Sequence, residues 1–271
     1  MGGPIRTWSF NYLEFAVRWN GLTGEGLPSP LIITTDFDSN DAYLAECRRI
    51  TAALAADRDP DVEAMLTALT RPDHVLAVFG LVAPDTDEEQ AIRVYAVRSG
   101  ERCLVVDQER GETIYHAAGF TVSEYDPTDW AACVVARLPA IGTGRQAAVP
   151  LPEPESGDAE SDGIDYTYGR SDYRDSFEDS VFEHHEQFLS RPVAAAGVID
   201  IVQGRSVFGP AGRARRAVGW RDVADDGRYA IVHRKPYMAR GVDAASFTAL
   251  LAEEIEEIQL VIEDERRSVS R

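Results

Sequence analysis

The chain has 271 residues, 44% apolar and 27% charged, the balance of a soluble globular protein long enough to bury a core. Its net charge of −19, from 46 acids against 27 bases, argues against nucleic acid and anionic membrane surfaces as partners, because both recruit Lys and Arg to neutralise phosphate. Apolar runs such as Val75–Val82 and Trp130–Ala136 fall well short of the ~20 residues a bilayer span needs. Residues 1–10 lack a charged stretch followed by an apolar one, so a cytosolic location is expected.

In chain order, Thr7–Phe10 reads as a strand and Asn11–Trp19 as a short helix, followed by a Gly/Pro loop over Gly21–Pro30. Asp41–Ala56 is predicted helical from apolar residues at 43, 44, 47, 50 and 54. A second helix spans Asp61–Thr70, with Pro60 in its first turn. An Arg-Pro stop and an apolar strand come next, then the acidic loop Ala83–Gln90 (APDTDEEQ). Residues 92–107 form a hairpin turning at Ser99-Gly100-Glu101, and residues 125–139 a helix opened by Asp126 or Thr128.

From Pro139 to Arg170 the chain is rich in Pro, Gly, Ser and acids and reads as a linker. Asp172–Ser190 is predicted helical, with Tyr173, Phe177, Val181 and Phe188 on one face. An arginine group follows on a Gly/Pro loop and the next strand: Arg205, Arg213, Arg215, Arg216 and Arg221. These arginines either offset nearby acids within the chain or meet an acidic spot on a partner. A second hairpin (216–233) turns at Asp225-Asp226-Gly227. Within it, Trp220 and Tyr229 suit either core packing or partner contact. The last helix, Asp243–Arg266, sets Phe247, Leu251, Ile255, Ile258 and Ile262 on one side and glutamates on the other.

The chain is written twice. LTRPDHVLAVFGLV (69–82) matches LSRPVAAAGVIDIV (189–202) at an offset of 120, and the hairpins and following helices repeat in the same order. Helix, strand, hairpin, helix, present twice, predicts an α+β fold: a central antiparallel sheet from two pseudo-symmetric halves flanked by helical bundles. The expected organisation is one domain over 1–271, with half one at 5–140, a linker at 141–171 and half two at 172–266. The loops Ala83–Gln90 and Gly204–Arg216 (GRSVFGPAGRARR) then hold equivalent places with opposite charge, an arrangement suited to recognition.

Catalytic signatures do not emerge. There is no GxSxG, P-loop, HExxH or GxGxxG. Asp36–Asp41 opens like a calcium loop but has Asp41 and Cys47 where Gly and Glu are required. His184 and His185, flanked by Glu183 and Glu186, diverge on a helix and lack further ligands. His74 follows an Arg-Pro stop and His116 and His233 lie near strand ends, with no acid or nucleophile partner evident from a motif. Cys47, Cys103 and Cys133 read as buried apolar residues. No catalytic residue, cofactor or metal is expected. Two other readings stay open: a small-molecule-binding or catalytic domain with a pocket between sheet and helices, and an acidic interaction protein.

Four stretches carry a resemblance: FNYLEFAVRWNGLTGEGLPSPL, RRITAALAADRDPDVEAMLTALTRPDHV, VVARLPAIGTGR and GWRDVADDGRYAIV, the last with Asp-Gly-Arg-Tyr at 226–229. Their order and spacing over about residues 8–262 resemble the EspG family of type VII (ESX) secretion-associated proteins from actinobacteria. The resemblance implies a cytosolic, substrate-specific chaperone that binds a PE–PPE heterodimer before export. The apolar tip of the PPE helical hairpin would be held against the central sheet and C-terminal helices, with the loop after the first core strand also in contact. Here that loop supplies Pro84, Asp85, Asp87 and Glu88. With Arg213, Arg215, Arg216, Trp220 and Tyr229 they form the candidate partner-binding set. Pairing of the free chain as a homodimer is left open.

Overall fold

The computed structural model describes residues 2–83, 90–146, 148–151, 185–232 and 234–269. Strand β1 (Arg6–Asn11) ends at Asn11, whose side chain accepts from the Leu13 amide (2.9 Å) and so starts α1 (Tyr12–Thr23). Gly24, at φ 72°, ends α1 in the left-handed region that a side chain disfavours. The Ser39 hydroxyl caps α2 (Asn40–Ala56), which lies on the outside and buries Ile50. Asp59 and a first-turn proline open α3 (Pro60–Thr70), which buries Val62, Met65, Leu66, Ala68 and Leu69. The predicted helices thus stand within a few residues of their expected ends.

The core is a ten-stranded sheet in the order β1-β5-β4-β3-β2-β7-β8-β9-β10-β6. Its first half holds β2 (His74–Val82), β3 (Gln90–Ser99), β4 (Arg102–Arg110) and β5 (Ala117–Tyr125), then α4 (Trp130–Val135). Edge strand β6 (Val149–Pro150) and a helical segment α5 (185–189) lead to the second meander. That meander is β7 (Val193–Gln203), β8 (Arg215–Val223), β9 (Gly227–Val232) and β10 (Met238–Gly241), followed by α6 (Ala244–Val269). All ladders between these strands are antiparallel, and the two meanders meet where β2 pairs with β7. This is the expected fold class.

The repeating unit is larger than its sequence signal. Each meander has a fourth strand, β5 or β10, that the repeat did not reveal. In β5 (AAGFTVSEY), small residues and Gly119 blur the alternation, and β10 has four residues. Part of the expected linker is ordered against the second half. Thr143 bridges Arg228, and β6 closes the sheet edge on β10. The buried Asp226 carboxylate holds this stretch, accepting from the Arg145 amide (2.8 Å) and the Tyr229 hydroxyl (2.7 Å) and pairing with Arg191 (2.6 Å). Residues 152–171 of the linker, and most of the helix predicted over 172–190, lie outside the described residues.

The repeat offset also needs a correction. Through the Arg-Pro stop it is 120, from Pro72 to Pro192. Strand β7 then bulges: Val193 faces Val223 and Ala195 faces Asp222, two steps against one. The extra residue moves the strand offset to 121, from 78 to 199, and Val78 stands opposite Ile199 on one face of the sheet. Val198, which the sequence aligns with Val78, instead faces Phe79 on the other side. A one-residue slip sends every side chain of a strand to the opposite face.

Apolar side chains are buried on both faces. On one, α4 and α6 cover Leu76, Val78, Val105, Ile199, Ile201 and Trp220, with Phe247, Leu251 and Ile258 of α6 fully inserted. On the other, α1 and α3 cover β3 to β5 through Phe15, Trp19, Met65 and Leu69, which meet Tyr95, Val106 and Phe120. A smaller cluster (Phe188, Val223, Tyr229, Ala239 and Val149) packs α5 and β6 against the second half. Each fully buried large side chain contributes about 1.5–3 kcal/mol of apolar transfer.

Candidate functional site

Among the described residues, the centre of one sheet face carries no helix. Along β7, Ala195, Ile199, Ile201 and Gln203 are buried, while Ala196, Val198, Asp200 and Val202 are half-buried. Along β2, Leu76 and Val78 are wholly buried beneath α6 and α4, yet Phe79 is half-buried and Leu81 is 44% exposed. The α1/α3 cluster reaches Val75 of β2, with Ala77 and Val202 packed against it, and the α5–β6 cluster covers β9 and β10; among the described residues, no helix covers the stretch of β2 and β7 between them, a floor from Phe79 to Leu81 and Ala196 to Val198.

Strand register sets the composition of this floor. One row across the sheet reads Arg93, Phe79, Val198, Gly219, and the next reads Ala91, Leu81, Ala196, Arg221. Apolar residues thus hold the middle and a guanidinium stands on each side. Arg93 lies 4.7 Å over the Phe79 ring and donates to the Pro30 carbonyl (2.8 Å). Arg221 donates to the Leu189 carbonyl (2.7 Å). In the adjoining row Asp200 pairs with Arg215 at 3.0 Å. Such a floor can accept an apolar convex surface with polar or acidic flanks.

The predicted site residues separate. Arg213 and Arg215 are exposed, at the end of the sheet where β7 finishes. Arg216 points to the opposite face, toward α6, within 3.2 Å of Glu257 and 3.8 Å of the buried Glu254. Trp220 (2% exposed) and Tyr229 (0%) are core residues on opposite faces. Pro84, Asp85, Asp87 and Glu88 lie outside the described residues. Because β2 and β7 run antiparallel, the loop after β2 and the loop after β7 leave opposite ends of the sheet. The floor residues Phe79, Leu81, Ala196 and Val198 were missed. Their runs read as buried strands, and burial on one face only is a property of what covers them.

The chemical near misses resolve into structure. Ser39, within the calcium-like stretch 36–41, caps α2. His74 is 3% exposed and packs edge-on against Trp130. His116 meets the Thr113 hydroxyl at 2.8 Å, and His185 is buried. Glu183, His184 and His233 lie outside the described residues. Burial pushes the Cys103 thiol up to about 12, where it is unreactive. No group of three His, Cys, Asp or Glu among the described residues could hold a metal ion. A surface depression of about 580 Å³ between α1 and α2 is flanked by the pairs Glu14–Arg18 and Glu46–Arg49. No helix among the described residues is long and apolar enough to cross a membrane.

Two antiparallel meanders joined into one ten-stranded sheet, with helices packed on both faces, define an α+β scaffold. A family model, that of the EspG family, matches residues 11–253, and the chain belongs to this family. A solved structure of the Mycobacterium tuberculosis type VII secretion system chaperone EspG5, in complex with a PE25–PPE41 dimer, aligns with a TM-score of 0.55 at 14% identity, covering 90% of this chain and 94% of that one. At that identity the likeness is one of fold. No curated protein matches the chain.

Proposed function

We propose that this chain is a cytosolic chaperone of type VII (ESX) secretion that binds a PE–PPE-like heterodimer and covers the apolar tip of the PPE helical hairpin. The observation that carries the reading is the apolar centre of the sheet, Phe79–Val198 and Leu81–Ala196, which no helix covers among the described residues and which stands between flanking arginines. Membership of the EspG family and the client seen with EspG5 support it. An exposed apolar helical end would self-associate. A preformed floor can shield it over the roughly 1,200–2,000 Å² of a specific interface, and binding stabilises the client by mass action. No bond is made or broken, so the chain is no enzyme in this reading. Residues Pro84 to Glu88 would meet the client at the end of the floor where β2 finishes. Trp220, Tyr229 and Arg216 serve the fold. The chain would act as one domain, its halves at 5–140 and 172–266.

Co-expression with PE–PPE pairs encoded nearby tests the proposal. A stable ternary complex is expected, lost in Val198→Arg and Leu81→Glu while both variants keep the wild-type circular dichroism spectrum. No complex with any endogenous pair would defeat it.

A further inference from the structure

Arg93 of β3 is half-buried at the rim of the floor, and among the described residues no carboxylate pairs with it. Arg18, Arg102 and Arg137, also half-buried, each hold one: Glu14 at 2.8 Å, Glu124 at 2.6 Å and Asp107 at 3.0 Å. The contacts of Arg93 are an aromatic face and two carbonyls. Its guanidinium lies 4.7 Å over the Phe79 ring and donates to Pro30 (2.8 Å) and Ile114 (3.4 Å). Its Nε is shielded from solvent and has no acceptor among the described residues. Burial pulls the guanidinium below its ordinary value, with nearby Tyr115 acting the other way. A cation kept from water without a counter-charge costs free energy. An acid arriving from outside recovers that cost.

The groups that hold Arg93 are themselves held. The Ile32 amide, two residues after Pro30, donates to the Gln108 side chain (2.9 Å). The Thr34 hydroxyl donates to the Tyr115 carbonyl (2.8 Å), next to Ile114. The guanidinium is therefore preset, and little side-chain entropy is lost when an anion binds. Beside it lies a depression of about 20 Å³ that Arg110, Thr113 and His116 also line, room for a single carboxylate oxygen. The acids nearby are engaged: Glu109 accepts from the Thr121 hydroxyl (2.7 Å), and Asp36 stands 3.7 Å from His116. Leu81 (44% exposed), one row away on the floor, and Tyr115 (58%) are open to a partner. A client seated on these apolar residues brings its flank within reach of Arg93.

We propose that Arg93 sets the specificity of the floor by taking a carboxylate that the client presents beside its apolar tip. Clients with an acidic flank are then preferred over those with a neutral or basic one. A guanidinium offers paired N–H donors to both oxygens of a carboxylate, which an ammonium does not. This inference deepens the reading of the floor as the client surface and rests on it.

Titration calorimetry of the full chain with a purified PE–PPE pair encoded nearby, at low and moderate salt, tests it. Arg93→Glu should weaken binding at least about tenfold. Arg93→Met, which keeps an aliphatic stem over Phe79, should weaken it less and flatten its salt dependence. Reversing the acids beside the PPE tip to Arg, one at a time, should at one position restore binding to Arg93→Glu while weakening binding to wild type. A merely structural role for Arg93 would not produce that rescue. Undiminished binding by Arg93→Glu, with Val198→Arg inactive, overturns the inference and leaves the floor as the client surface. So does a loss that no reversal in the client restores. Absence of any pair that binds, or full binding by Val198→Arg, removes the floor as the client surface and this inference with it.

Discussion

Gly80 and Gly197 face each other where the two halves of the sheet meet, and the indole of Trp220 lies over both. A Cβ on Gly80 would come within 2.5 Å of the Trp220 ring, and one on Gly197 would meet both that ring and the Phe79 carbonyl. The glycines are there for clearance, since nothing larger leaves room for the indole. Gly80→Ala should therefore overpack the junction and cost about 1–3 kcal/mol. Urea unfolding reads this as a lower midpoint; an unchanged midpoint would show that the indole moves aside freely.

A buried ion pair closes the second hairpin. Arg228 donates to Asp222 at 2.7 and 2.6 Å and to the Pro139 carbonyl at 2.8 Å, beneath Phe247 of α6. Asp222→Ala strands a buried guanidinium and should cost about 3–5 kcal/mol. Replacing both partners together, as Asp222→Leu with Arg228→Met, removes the charge along with its partner. The double variant is expected to unfold at higher urea than Asp222→Ala; the reverse order would assign the pair a net stabilising role.

Acid should loosen the fold before carboxylates titrate. Burial, followed by the nearby Arg98 charge, holds the His74 imidazole below its ordinary value of 6.5, and burial does the same at His185. The unfolded chain then takes up a proton that the folded chain refuses. Stability is full above about 6.5 and falls as pH drops through that value. Asp73, Arg98 and Arg266 surround His74, so its protonation adds a third cation beside two arginines. His74→Phe should flatten the decline in urea midpoint between about pH 7 and pH 5. An equal slope in the variant would place the sensitivity elsewhere.

Glu265 is the hinge pin of the loop after β7. The Ser206 hydroxyl bonded to it keeps its carboxyl below the usual range. Glu265→Ala should raise amide exchange over residues 205–209 about tenfold and leave β2 and β4 protected. Uniform faster exchange would mean that the carboxylate supports α6 as a whole.

Much of this architecture was legible from local chemistry. Asn11, Ser39 and Asp59 mark helix starts, Gly100 and Gly227 mark hairpin turns at positive φ, and the Arg-Pro pairs mark where helices yield to strands. These signals act between near neighbours, so they survive in one dimension. The repeat they compose led to the fold class.

The sequence by itself determined most of the helices and strands among the described residues and that they recur in the same order twice. Only the tertiary structure decided which face each strand shows. The bulge at Val193–Ala195 shifts β7 by one residue, and that step puts Ile199 under α6 and leaves Val198 half-buried on the other face. Tertiary packing likewise buried Trp220 and Tyr229. The physical reason is that a strand alternates sides by covalent geometry alone, whereas burial of either side depends on helices and strands far away in the chain.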